Sequence, residues 1–372
     1  MAPVYVISDN IYSPIGKTSA ENFAAVIEGK SGIRSVTNTA LSAVPFYASL
    51  YTDTVETAEG KYTRFESYCI ASIKDALAQT DITLSSADTV FILSTTKGNV
   101  ELLDNSPTDT LLKEKVSLFN TAKKIALAFN AVNEPVVVSN ACISGALAVL
   151  IAKRLLQSGQ YKHAVVTGAD VLSRFIVSGF QSLHAMSTAE CLPFDKNRTG
   201  INLGECAATM VLSATEKGKV LVNGGSSTND ANHISGPSRT GHELAYAVTS
   251  AMNEIAVQPA DLAFISAHGT ATVFNDEMEG KAFAHAGLSA VPLHSLKGHF
   301  GHTLGAAGVL ESILTYQSLL NGVVLPSRNY KEHGVSENVT ISKELTKTDK
   351  NHALKTASGF GGCNAALIYS IN

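Results

Sequence analysis

Three residues of this 372-residue chain stand where their types and settings would support covalent chemistry. Cys142 lies in "SNACISGALAVLIAK", where a β-branched stretch stops and a run of small and aliphatic residues of helical length begins. A helix starting at or just after Cys142 would turn its unpaired amides and partial positive end toward the sulfur, lowering the thiol pKa and making a nucleophile at neutral pH. Burial is the other reading of the same residue, because cysteine is among the residue types most often enclosed in a core. His268 in "SAHGTAT" and His302 in "GHFGHTLGAAG" each follow an expected strand, sit beside glycine and precede a hydroxyl residue. Matching positions in two repeated passages set them apart from the other histidines. His299 and His302 have the spacing of a metal-binding HxxH, but no third ligand stands nearby and the segment reads as a turn, so no metal site is expected.

The elements that must position these residues occur twice, in the same order. The first pass runs through "TVFILSTTKG" (89–98), "PVVVSNACISGALAVLIAKRLLQSG" (135–159), "HAVVTGAD" and "GECAATMVLSA". The second runs through "LAFISAHGTAT" (262–272), "VPLHSLKGHFGHTLGAAGVLESILTYQSLLNG" (291–322), "LKTASGFGG" and "CNAALIYSI". In each, apolar strands feed small-residue turns and apolar helices, the crossover pattern of a mostly parallel sheet. The expected fold is therefore α/β with two duplicated halves, residues 1–215 and 216–372, and a site between them at the carboxyl ends of the strands. The Gly, Ser, Asn and Thr-rich stretch after residue 214 reads as the join, and residues 101–110 as an insertion over the first half. Gly145, Ala146 and Ala148 would let the helix after Cys142 approach another backbone closely, as a central helix meeting its symmetry mate would. Lys153, Arg154 and Gly159 close that helix in the usual way.

Composition narrows the function classes. A hydrophobic fraction of 45% with 16% charged residues excludes a largely disordered chain. A formal net charge of −4, with no local basic cluster, offers nothing to nucleic acid. The first sixteen residues carry neither a basic leader nor a long apolar segment; they read as a strand that turns at Ser13, Pro14 and Gly16. No apolar run reaches the roughly 18 residues needed to span a bilayer. Five cysteines without a CxxC pair suit neither a disulfide framework nor a zinc cluster. The expectation is a cytoplasmic protein with free thiols and no membrane insertion.

Taken in order, "SNACISG", "AHGTATVFNDEMEG", "LKGHFGHTLGAAGVLE" and "SGFGGCNAAL" resemble the signatures of the elongating β-ketoacyl-acyl-carrier-protein synthases, enzymes of the thiolase fold. "YTRFESYCIASIKDAL", "VVTGADVLS" and "LPFDKNRTGINLGECAATMVL" support the resemblance, which covers nearly the whole chain. It implies five-stranded, mostly parallel or mixed sheets packed around central helices in αβαβα layers. It also implies residue roles. Cys142 would accept the acyl chain as a thioester, while His268 and His302 would donate hydrogen bonds to the malonyl thioester carbonyl as carbon dioxide leaves. The Phe360 amide would join that of Cys142 in an oxyanion hole, with the Phe360 ring gating the second substrate. Read without the resemblance, "GFGG" is a glycine-rich hairpin turn. Lys297 and Glu311 would form a buried ion pair beneath the site, holding the loop that carries His302. Thr270 and Thr272 would bond the pantetheine arm. No resident cofactor is implied, since acyl groups arrive on the phosphopantetheine of an acyl carrier protein, the expected partner, and the assembly would be a homodimer or a heterodimer with a related subunit.

The chain departs from the family pattern at several points. Thr199 stands where the family has aspartate, and Cys206 where it has glycine, both expected in supporting structure. His299 and Phe300 are bulkier than the usual residues, "STTKGNVELLD" is an unusual form of a loop bordering the acyl pocket, and the chain is short around residues 214–225. These features concern the acyl substrate and admit a specialised polyene or polyketide-like product as well as a fatty acid. The coenzyme-A-primed synthases carry asparagine where this chain has His302. Thiolases use a second cysteine as base, and Cys363 reads as structural. The remaining alternative is a non-catalytic, chain-length-determining partner, a role whose members usually lack the cysteine.

Overall fold

The computed structural model describes residues 2–53, 55, 61–104, 112–231 and 236–371. Ten strands share one hydrogen-bonded sheet, and they fall into two sets of five. The first half supplies β1 (Tyr5–Tyr12), β2 (Thr89–Ser94), β3 (Val136–Val138), β4 (His163–Asp170) and β5 (Cys206–Ser213). The second supplies β6 (Val220–Asn229), β7 (Leu262–Ser266), β8 (Leu293–His294), β9 (His352–Gly359) and β10 (Cys363–Ile371). Spatial order is β3-β2-β4-β5-β1 in one set and β8-β7-β9-β10-β6 in the other, the same order offset by five. In each half two pairings are parallel and two antiparallel, so the sheet is mixed rather than mostly parallel. The halves join where Tyr5 and Val6 of β1 meet Leu221 and Val220 of β6.

The same doubling extends to the helices. α1 (Arg64–Leu77), α2 (Leu118–Leu127) and α3 (Ser144–Gln157) belong to the first half; α4 (His242–Glu254), α5 (Val273–His285) and α6 (Ala307–Leu320) belong to the second. Strands such as β2 and β5 are buried along their whole length, because helices cover both faces. α3 and α6 touch strands of both halves and form the central layer, with α1 and α2 outside the first half and α4 and α5 outside the second. The result is the αβαβα arrangement. α3 and α6 cross at Gly145 and Gly308: a Cβ on Gly145 would lie 2.7 Å from the Val309 nitrogen, and one on Gly308 only 2.0 Å from that of Ala146. Only glycine permits this approach, so the small residues after Cys142 do serve a helix–helix contact.

The polar stretch after residue 214 runs from β5, which ends at Ser213, into β6, paired with β10 over nine residues as well as with β1. Its serines and glycines fit because alternate positions pack under α4, where a Cβ at Gly224 would lie 2.3 Å from the Ala251 carbonyl oxygen. Of the expected insertion, Val100–Asp104 forms a 3₁₀ turn and 105–110 lie outside the described residues. All five cysteines are buried and unpaired. Among the described residues no helix is long and apolar enough to cross a membrane.

Candidate active site

Cys142 follows β3 by four residues and precedes α3 by two, so the chain turns sharply at it. The preceding Ala141 holds φ of 44°, a left-handed conformation that non-glycine residues avoid. Ser144 stabilises the turn, accepting the Asn140 N–H at 2.8 Å and donating to the Ala141 carbonyl at 2.6 Å. α3 itself has no side-chain cap. The glycine turn 359–362 closes over the sulfur from the second half. A Cβ on Gly359 would come within 3.0 Å of the Cys142 nitrogen, and the Phe360 N–H is directed at the thiol.

Both histidines lie in the second half, which corrects the idea that they occupy matching places in the two repeats. His268 follows β7 directly. His302 follows a short helical turn, Lys297–Phe300, and stands before the central helix α6 much as Cys142 stands before α3. Each loop is clamped. Glu279 of α5 accepts the His268 and Gly269 N–H groups at 2.8 and 2.6 Å, and Asp276 accepts that of Thr270 at 2.9 Å. His302 is held across the halves, donating its N–H to Asn202 at 2.7 Å and accepting that of Gly204 at 2.9 Å through its carbonyl. Left-handed Ala271 (φ 60°) and Leu304 (φ 52°) lie close to the two histidines, so backbone strain clusters on all three loops.

These clamps bring the Cys142 sulfur, a ring nitrogen of His268 and a ring nitrogen of His302 within 4.8 Å of one another. The tautomers follow from the partners on the far side of each ring. His268 Nδ1 faces the Lys297 ammonium at 3.3 Å, and His302 Nδ1 accepts the Leu304 N–H at 3.3 Å. Nδ1 is therefore the unprotonated nitrogen in both, and Nε2 carries the hydrogen. His302 Nε2 is buried without a hydrogen-bond partner among the described residues. Burial first, then Lys297, then His302 and Lys355 hold His268 far below its ordinary pKa; burial, Lys297 and Lys355 do the same for His302. Cysteine and two histidines are a common zinc set, but imidazoles whose Nε2 is protonated do not ligate through it. His299 is not part of the group; its Nδ1 meets the Lys30 carbonyl at 2.6 Å.

The thiol differs from expectation. Burial pushes the Cys142 pKa up to about 12, reinforced by Cys363, while Lys297, the Phe360 amide and Lys97 pull it down. Burial thus works against the thiolate that the helix start would favour.

Lys297 and Glu311 pair at 2.7 Å, fully enclosed. The Lys297 ammonium also reaches the His268 carbonyl at 2.7 Å, so the pair ties the turn before His302 and the helix after it to the loop of His268. Thr270 and Thr272 share a hydroxyl–hydroxyl contact of 2.8 Å on the wall of a cavity of about 430 Å³ that reaches Cys142, His268 and His302. Phe360 lines the same cavity, 40% exposed, with its ring centre 5.9 Å from that of Phe180. Thr199 also lines it rather than lying in the support, and the loop from Thr95 to Asp104 does not. Cys206 is buried within β5, as expected. The sequence reading missed Glu279 and Asp276, which were signalled by two acids three residues apart at the start of a helix, and Lys355, a lysine inside the apolar strand "HALKTASG".

Known proteins resemble this chain along nearly its whole length. Residues 1–218 match the family described as "Beta-ketoacyl synthase, N-terminal domain", and residues 220–331 the corresponding C-terminal domain. A 3-oxoacyl-[acyl-carrier-protein] synthase 2 of Vibrio harveyi is 29% identical, with 98% of each chain covered. A β-ketoacyl synthase of Burkholderia phymatum superposes with a TM-score of 0.91 at 24% identity, covering 100% of both chains. A ketosynthase solved in complex with its chain length factor, from Xenorhabdus doucetiae, gives 0.90 at 23%, covering 100% of this chain and 98% of that one.

Proposed function

The chain belongs to the β-ketoacyl synthase family of condensing acyltransferases, and we propose that it joins an acyl group held on Cys142 to malonyl-acyl-carrier protein, giving 3-oxoacyl-acyl-carrier protein and carbon dioxide. The observation that carries the reading is the grouping of the Cys142 sulfur with two imidazoles inside 4.8 Å, each imidazole fixed as an Nε2–H donor by what it accepts on its other nitrogen.

In the first half-reaction the Cys142 sulfur attacks the acyl thioester. The carbonyl oxygen takes up negative charge beside the Phe360 and Cys142 amides, and the pantetheine sulfur leaves with the proton that Cys142 gives up. The thiol's high pKa suits this exchange, because proton and acyl group trade places between two sulfurs and no standing thiolate is required. In the second, the bond from the malonyl carboxylate to its α-carbon breaks, carbon dioxide departs, and the electron pair becomes an enolate whose oxygen lies against the two Nε2–H donors. The enolate carbon attacks the Cys142 thioester; the tetrahedral oxyanion collapses, and Cys142 leaves as a thiolate that takes a proton from solvent. Neutral donors aimed at a developing oxyanion act mainly in the transition state. Thr270 and Thr272 would bond the pantetheine arm, and the Phe360 ring would sit at the cavity entrance. The product would be a fatty acid or a polyene or polyketide-like chain.

A second reading, suggested by the likeness to a ketosynthase that works beside a chain length factor, makes this chain the partner subunit of a heterodimer. Incubation with acyl- and malonyl-carrier protein separates the two. Condensation by the isolated protein supports the first; its absence, with no acyl group on Cys142 by mass spectrometry, supports the second.

A further inference from the structure

Glu311 touches not one lysine but two. Oε1 meets the Lys297 ammonium at 2.7 Å and Oε2 meets that of Lys355 at 2.7 Å, with all three side chains enclosed. Lys355 comes from β9, Lys297 from the turn before His302, and Glu311 from the central helix α6. A carboxylate anchored at both oxygens cannot swing, so the Lys297 ammonium is fixed where it reaches the His268 carbonyl and Nδ1. Lys355 is secured in turn by the Ser266 carbonyl at 3.3 Å and by that of Thr356.

We infer that Lys355 is a positioning residue for the condensation: it locks Glu311 and, through it, Lys297, and it adds a second positive charge behind the two imidazoles that keeps them neutral with Nε2 protonated. The inference rests on the reaction proposed above. A single ammonium on Glu311 would be neutralised by it, leaving little net charge behind the rings; the second ammonium makes the triad positive. Protonating Nδ1 of His268 would then place a third cation against Lys297. The groups facing His268 are Lys297 from the helical turn, Glu311 from α6, Lys355 from β9, Glu279 from α5, His302 from the connection before α6 and Cys142 from the connection before α3. His294 on β8 also feels Lys355 and is held to about 3, by burial first. Burial lowers the Lys355 pKa, while Glu311 opposes that and Lys297 adds to it. Glu311, despite its burial, is kept below the usual carboxylate range by the two lysines.

The test compares the pH dependence of condensation by the wild type, Lys355→Met and Lys355→Gln, with acyl- and malonyl-carrier protein as substrates. Gln keeps a hydrogen-bond donor and loses the charge, so a purely structural role would be rescued by Gln alone. The expected result is that both variants lose activity at low pH earlier than the wild type, by roughly 1 pH unit, a tenfold change in proton affinity, with kcat reduced and KM for the carrier substrates little changed. Acid limbs that superpose on the wild type, or full rescue by Gln, would overturn the inference. Nitrogen NMR of the histidine rings in wild-type protein tests the premise if the variants do not fold: His268 and His302 should stay neutral and Nε2-protonated below the ordinary value of about 6.5, and titration near that value would refute the inference. A wild type that condenses nothing, yet whose rings behave as stated, would refute the proposed reaction and leave the Lys355 arrangement standing.

Discussion

The two halves share a scaffold and differ in what they place on it. In the first half, Ser94 at the end of β2 is paired with Gly168 of β4; in the second, Ser266 at the end of β7 is paired with Lys355 of β9. α3 and α6 cross at Gly145 and Gly308, and three residues further along stand Ala148 and Glu311 respectively. Where one half packs glycine and alanine, the other buries a lysine and a glutamate. Gly168 is small for a reason, since a Cβ there would come within 2.9 Å of Val309. Doubling therefore produces the framework, and departure from the doubling produces the chemistry: a thiol beside a helix of small residues faces two imidazoles backed by buried charge.

The largest expected effect breaks the division on the thiol side. Cys142→Ala should lower condensation roughly a thousandfold or more while leaving measurable release of labelled carbon dioxide from malonyl-carrier protein. Equal loss of both would deny that the two halves have separate tasks. Next comes the charge. Glu311→Gln strands two buried ammoniums and should cost about 3–5 kcal/mol in urea unfolding, whereas Ala148→Gly at the matching place should cost only about 1 kcal/mol; similar values would remove the contrast.

His268→Ala and His302→Ala should each slow decarboxylation by about 10²-fold or more, with acyl loading of Cys142 nearly intact. Loading that falls in parallel would place the imidazoles in the first half-reaction instead.

A separate effect is on stability at low pH. His268, His302, His294 and His299 are buried, and burial is the first cause holding each below its ordinary pKa, His299 at about 4. The unfolded chain therefore binds these protons more readily than the native one. Their contribution to stability is complete above about pH 6.5 and declines as the pH falls toward the folded values. Thermal unfolding between pH 7 and 4.5 measures this; a melting temperature that is flat over the range would contradict it.

Much of this was legible in the sequence for physical reasons. Repeated apolar strands and glycine-bearing turns announced the doubled fold, and Gly145 announced a close helix contact, because periodicity and side-chain size are local properties. What escaped was non-local. "VLVNGGSSTN" opens a stretch that looks like a linker, yet it is a central strand whose small residues are set by α4 above it. Lys355 looks like an odd residue in a strand until Glu311, 44 positions earlier, is seen beside it. The burial of the thiol escaped as well, because the helix start is visible in sequence and the depth of burial is not. The contact of the Lys297 ammonium with His268, 29 positions earlier, belongs to the same class.

The central claim is that Cys142 carries the acyl chain and hands it to a malonyl-derived enolate formed against His268 and His302. Intact-protein mass spectrometry after exposure to acyl-carrier protein tests it most directly. The account predicts one acyl adduct per chain on the wild type, absent from Cys142→Ala and discharged as 3-oxoacyl-carrier protein when malonyl-carrier protein is added; an adduct that survives in Cys142→Ala, or one that malonyl-carrier protein leaves in place, would contradict it.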